Sequence, residues 1–210
     1  MDKFHSGFAA VVGRPNVGKS TLLNALIGQK IAIVSDKPQT TRNTIQGVLT
    51  TERAQIVFLD TPGIHKPLHK LGEYMVQSAL NSLSEVDVVL WLVEMGNWTK
   101  ADDHILRQLE AVRQPLILVA NKADLVPRDK RSEFLSLLAA KRDFAEVIPV
   151  SALTGENLGS LVDLLIGFLP EGPKYYPDDW LTDHPERFVF AEFIREEILK
   201  LTEEEVPHSV

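Results

Sequence analysis

Gly13-Arg14-Pro15-Asn16-Val17-Gly18-Lys19-Ser20 stands directly after the apolar run Phe8-Ala9-Ala10-Val11-Val12 and directly before the breaker-free stretch Thr21-Leu22-Leu23-Asn24-Ala25-Leu26-Ile27. A buried-type strand, a glycine turn and a helix in that order form a phosphate-binding loop. Its two glycines let the backbone wrap close to an anion, so that N–H groups and the positive helix end converge on phosphate oxygens. Residues 13–21 are therefore the expected phosphate cradle: Lys19 reaches toward the β- and γ-phosphates, and Ser20 offers its hydroxyl to Mg²⁺.

Working outward, strands are expected at Ile45–Leu49 and Ala54–Asp60, joined by a link so short that they must be antiparallel neighbours. A helix carrying Leu71, Met75, Ala79, Leu80 and Leu83 on one side follows, then a strand over Val86–Glu94. Thr99 with Asp102 reads as a capping box opening a helix that ends before Pro115. A strand at Pro115–Ala120, a helix at Arg131–Arg142, a strand at Glu146–Val150 and a helix at Leu158–Leu169 complete the alternation. The fold class is α/β: a three-layer P-loop NTPase sandwich with a mostly parallel six-stranded sheet, one antiparallel strand, and a C-terminal helical fragment. Ligands of such sheets bind beyond the carboxyl ends of the strands.

The chain has 210 residues, 44% of them hydrophobic and 24% charged, and no cysteine. That composition suits a globular protein and excludes a disulfide framework or a thiolate metal site. The apolar stretch Val88–Val93 is far too short to cross a bilayer, and the N-terminus lacks a signal-peptide layout, so the cytoplasm is the expected location. From Pro170 onward the chain holds 11 acidic and 4 basic residues, leaving 18 of each sign before it. The net charge of −7 thus belongs to the tail, and no basic stripe suggests DNA as a partner. Pro170-Glu171-Gly172-Pro173 opens a linker. Beyond it, Phe190, Phe193, Ile194, Ile198 and Leu201 recur at helical spacing, and the stripe is expected to be core rather than a membrane-surface face.

Asn121-Lys122-Ala123-Asp124 follows the fifth strand. The Asp124 carboxylate can accept from both N1–H and the 2-amino group of guanine, a charge-assisted pair that adenine cannot offer. Asn121 is expected on the N7 edge of the base or on the neighbouring loop, and the Lys122 stem over one face of the base. Ser151-Ala152-Leu153, at the end of the last strand, can present backbone N–H groups to guanine O6. Asp60-Thr61-Pro62-Gly63 closes the third strand with a carboxylate suited to Mg²⁺, and Gly63 can bring its N–H to the γ-phosphate. In the polar loop Gln39-Thr40-Thr41-Arg42, Thr41 is the expected second Mg²⁺ ligand and Thr40 the alternative. Loops held by γ-phosphate and metal relax when that phosphate leaves, so two nucleotide-dependent shapes are expected.

These motifs resemble the translation-factor-related GTPases over residues 1–169. The loop Pro38-Gln39-Thr40-Thr41-Arg42, the segment Asp60 to Pro67 and the run from Pro170 narrow the resemblance to the Era family. The resemblance implies a GTPase domain over 1–169, a linker over 170–186 and the incomplete start of a KH domain over 187–210. It also implies GTP and GDP as ligands, slow hydrolysis of GTP with Mg²⁺, and a role in 30S subunit assembly through 16S rRNA. A monomer and peripheral association with the inner membrane are further expectations of this kind. No two glycines of the chain are three apart, so the Gly-x-x-Gly clamp of a KH domain is absent from it.

Lys19, Thr41 and Gly63 are the expected catalytic groups. Ile64 follows Gly63 where many GTPases carry a water-orienting glutamine. The attacking water must then be placed by backbone groups, a cation, a partner or the switch loop. Asn16 resembles the asparagine that helps hold K⁺ in related GTPases. Arg14 and Arg42 are read as solvated side chains before charge donors in cis. His65 and His69 are four apart, but Pro67 between them argues against a helical metal pair. The alternatives are an ATP-dependent kinase, which would lack the guanine-reading motif, a binding module toggled by nucleotide, and a related GTPase of ribosome or tRNA modification.

Overall fold

In the computed structural model, residues 3–32, 45–60 and 83–201 are described. Six strands form one sheet: β1 (His5–Gly13), β2 (Ile45–Thr50), β3 (Ala54–Asp60), β4 (Val88–Glu94), β5 (Leu116–Asn121) and β6 (Glu146–Pro149), in the spatial order β2-β3-β1-β4-β5-β6. Among the strands of the described residues only the β2–β3 pair is antiparallel, as the three-residue link between them requires. Beside β1 lie β3 on one side and β4 on the other, so the order reverses there and a crevice opens at its carboxyl end.

The helices are α1 (Lys19–Ile27), α2 (Lys100–Leu109), α3 (Arg128–Ala139), α4 (Leu158–Ile166) and α5 (Glu186–Leu201). Alternation along the central strands splits the core in two. Ala9, Val11, Leu90 and Leu92 join Leu22, Leu23 and Leu26 of α1 and Leu161 and Leu165 of α4 on one face. Ala10, Val12, Val89, Trp91 and Val93 join Ile105 and Leu109 of α2 and Leu138 of α3 on the other. A sheet buried on both faces has strands that are apolar throughout, which is why β4 and β5 read as continuous hydrophobic runs.

Several boundaries differ from the sequence expectation. Helix α3 starts three residues early because Pro127 presets the backbone at its N-cap, and it stops before Arg142. That arginine instead caps α2 from outside, donating to the Leu109 carbonyl at 2.7 Å. The expected capping box of α2 is present, the Asp102 carboxylate accepting from the Thr99 amide and the Thr99 hydroxyl, both at 2.8 Å. The helix expected around Leu71–Leu80 lies outside the described residues.

The largest departure is in the tail. Phe190, Ile194 and Leu201 are exposed rather than core. The inward side of α5 carries Arg195 and Glu196 instead, with Glu196 paired to Lys30 at 2.7 Å and the Lys30 ammonium over the Phe193 ring. Within the expected linker 170–186, residues 170–181 are strapped to the body. Ser6 N–H donates to the Pro170 carbonyl at 3.0 Å, Gln55 bonds the Tyr175 and Tyr176 backbone, and Val48 N–H on the edge strand donates to the Leu181 carbonyl at 2.8 Å.

Candidate nucleotide site at the carboxyl end of the sheet

The phosphate loop turns tightly because its backbone enters conformations that favour glycine. Asn16 and Gly18 have φ of 65° and 97°, and α1 begins at once, Leu22 N–H closing its first turn on the Gly18 carbonyl at 2.8 Å. No side chain hydrogen-bonds as the cap of that helix end, so its positive end is turned to the loop. The buried Lys19 side chain lies across the loop, its ammonium 3.3 Å from the Gly13 carbonyl and 3.2 Å from that of Arg14.

Three loops meet through Asn121, the last residue of β5. Its buried Nδ2 donates to the Val17 carbonyl at 2.8 Å, and its Oδ1 accepts from the Ala152 amide at 3.0 Å. Both are contacts with neighbouring loops, one of the two kinds of partner expected for Asn121. Gly18 is needed beside it, since a Cβ there would stand 2.4 Å from Asn121 Nδ2.

Asp124 sits exposed in the short 3₁₀ turn Ala123–Leu125, entered through Lys122 at φ 61°. Its Oδ1 accepts the Ser151 hydroxyl at 2.6 Å, and that hydroxyl accepts the Thr154 amide at 3.1 Å. The carboxylate expected to read the base is thus oriented by the loop whose amides are expected to face guanine O6. Two of the three amides expected to face O6 are engaged within the site, Ser151 N–H with the Glu156 carbonyl and Ala152 N–H with Asn121. Leu153, the third, is on the surface. Arg131 of α3 holds this loop from behind, donating to Glu156 at 2.7 Å and to the Val126 carbonyl at 2.8 Å.

Arg14 is not solvated. Its Nη2 lies 3.0 Å from Glu94 Oε2 and its Nε 3.3 Å from the fully buried Asp102 carboxylate. Lys122 reaches the same Glu94 oxygen at 3.3 Å. Burial pushes the Glu94 carboxyl up, but Lys122, Asn97 and Arg14 together outweigh it and hold the group below its ordinary value. Sequence reasoning missed Glu94, whose signal was a lone acid ending an otherwise apolar strand beside the site. It also read Asp102 only as a helix cap.

Register places Asp60 opposite Val11, at the same sheet end as the phosphate loop. Ser20 follows Lys19 in the first turn of α1. Thr40, Thr41, Arg42, Thr61, Pro62, Gly63, Ile64, His65 and His69 lie outside the described residues. Among the described residues no group of three or more His, Asp or Glu side chains could hold a metal by itself, and no helix is long and apolar enough to cross a membrane.

The family model of the 50S ribosome-binding GTPases matches residues 8–122, more than half of the chain. GTPase Era of Staphylococcus epidermidis is 53% identical over 211 residues, spanning 100% of this chain and 71% of that protein. Among solved structures, Era in complex with MgGDPNP and nucleotides 1506–1542 of 16S ribosomal RNA superposes with a TM-score of 0.92 at 42% identity, covering 98% of this chain and 70% of that one. A point variant of Aquifex aeolicus Era bound to GDP·AlF4⁻ gives a TM-score of 0.91 at 42% identity, covering 97% and 70%. The fold, the loops that meet at Asn121 and these likenesses agree, and the chain belongs to the Era family of GTPases.

Proposed function

We propose that this protein binds guanine nucleotides at the carboxyl end of its sheet, hydrolyses GTP to GDP and phosphate, and acts as a switch in small-subunit ribosome assembly through 16S rRNA. The observation that carries the reading is the junction at Asn121, which brings the phosphate loop, the base-reading turn and the loop after β6 into one site. The Era complexes with MgGDPNP, with 16S rRNA and with GDP·AlF4⁻ support it.

The residues divide the work by chemistry. The backbone of residues 13–21 and the start of α1 hold the phosphates, and Lys19 adds a point charge where negative charge builds on the β–γ bridging oxygen. Asp124 accepts guanine N1–H and the 2-amino group, held in place by Ser151. Ser20, Asp60 and Thr41 supply hard oxygen donors that fit Mg²⁺, whose chemistry when bound is to neutralise the β- and γ-phosphate oxygens. Gly63 N–H would orient the γ-phosphate, and Asn16 would help to hold K⁺. Hydrolysis joins a water oxygen to the γ-phosphorus and breaks its bond to the bridging oxygen, which leaves with GDP. With Ile64 after Gly63 that position supplies no amide to orient the water, so unassisted turnover is on the order of 10⁻⁴ to 10⁻² per second.

Competition binding with GTP and ATP, with and without Mg²⁺, tests the reading. GTP is expected to win by several orders of magnitude, and ATP of equal affinity would overturn it. Asp124→Asn is expected to weaken GTP by about 10²-fold or more and to raise affinity for xanthosine triphosphate, because an amide donor matches the 2-carbonyl of xanthine.

A further inference from the structure

We propose that Glu94 is a positioning residue that couples the phosphate half of the nucleotide site to the base half, so that the grip on one depends on the other. The inference rests on the guanine-nucleotide reading above and adds a residue that no motif assigns.

The geometry follows from strand order. β4 lies between β1, which delivers the phosphate loop, and β5, which delivers the base loop. In register, Leu92 stands opposite Gly13 and Glu94 opposite Asn121, so Glu94 is where β4 reaches both loops at once. One oxygen, Oε2, takes Arg14 at 3.0 Å and Lys122 at 3.3 Å. Arg14 is anchored a second time by Asp102, which also caps α2, and by a 3.3 Å bond from Nη2 to the Asn97 carbonyl. Two cations and two carboxylates therefore balance in a half-buried cluster.

The coupling has a physical cause. Arg14 and Lys122 repel each other and share one acceptor, so a shift of the phosphate loop that draws Arg14 away changes the hold on Lys122. The Lys122 stem in turn is the cover for the base. Removing the charge of Glu94 leaves the cations facing each other and severs the link, while the direct contacts of each loop with nucleotide remain.

A double-mutant cycle on GDP affinity reads this. Arg14→Met and Lys122→Met are measured singly and together, first with Glu94 present and then in Glu94→Gln. With Glu94 present, the product of the two single losses is expected to differ from the double-variant loss by about three- to thirty-fold, the range of residues sharing one charge network. In Glu94→Gln the losses should multiply to within about twofold. Losses that multiply simply in both backgrounds, or the same non-additivity in both, would overturn the proposal. Should Glu94→Gln not fold, the cycle is run in Glu94→Asp, whose shorter arm keeps the charge but cannot meet both cations; persisting full coupling there counts against the role. A wild-type protein without preference for GDP over ADP would instead overturn the functional reading itself, so the two failures are distinct.

Discussion

Two buried side-chain amides hold irregular backbone at different places on the sheet, and they contrast in kind. At the carboxyl end, Asn121 bonds one carbonyl and one amide and draws the phosphate loop and the base loop together. In β3, Gln55 accepts the amides of Tyr175 and Tyr176 and donates to the Tyr176 carbonyl and the Thr50 hydroxyl, pinning the strap that follows α4. Gln55 uses both of its donors and both of its lone pairs, whereas the Asn121 contacts take one bond through each polar atom. One amide staples loops of the proposed ligand site, the other staples a segment that closes the fold. The same type of side-chain group thus joins loops of the proposed ligand site in one place and holds the closing segment of the fold in the other.

Mutations can break that contrast. Asn121→Ala orphans the Val17 carbonyl and the Ala152 amide and unties the site; GDP affinity is expected to fall by about 10²-fold, with roughly 1–3 kcal/mol of stability lost in the same variant. Calorimetric titration with GDP measures the first and urea unfolding the second. Gln55→Leu should cost a similar roughly 1–3 kcal/mol by removing the shared acceptor of the Tyr175 and Tyr176 amides, yet leave GDP affinity within about twofold. A large affinity loss in Gln55→Leu would show that the strap and the site are one unit.

The smallest effect sharpens the comparison through pH. Glu94 faces Arg14 from the phosphate loop, Lys122 from the base loop and Asn97 from the turn after β4, and its folded value is depressed. A depressed carboxyl contributes stability that is present above the unfolded value of about 4.3 and is lost as pH falls through the lower folded value. The melting temperature of wild type should therefore exceed that of Glu94→Gln at pH 6–7, and the gap should narrow as pH falls below about 4.3 and close below the lower folded value. A gap unchanged over that range would mean that shape rather than charge matters at Glu94.

Phosphate binding was readable because it needs particular residues at adjacent positions: two glycines where the backbone turns, a lysine and a serine at the helix start. The turn proposed to read guanine was legible for the same reason, since the specificity proposed for it sits on one carboxylate. The charge cluster of Arg14, Glu94, Asp102 and Lys122 was not, because its members are far apart in the chain and each has an ordinary local reading as loop cation, strand end, helix cap or base cover. The apolar stripe of α5 misled because helical spacing reports that a stripe exists, not which way it faces; Arg195 and Glu196 took the inner side once Lys30 stood opposite.

By itself the sequence determined the alternation of elements, the antiparallel hairpin, the phosphate loop and the base motif, all of which depend on local backbone conformation and on periodicity along a few neighbouring residues. Tertiary structure alone decided that 170–181 is a strap on the sheet, that Asn121 ties three loops and that Glu94 joins two cations. Those contacts depend on which strands lie side by side, and strand adjacency is set by packing of the whole sheet between its helices rather than by any one segment.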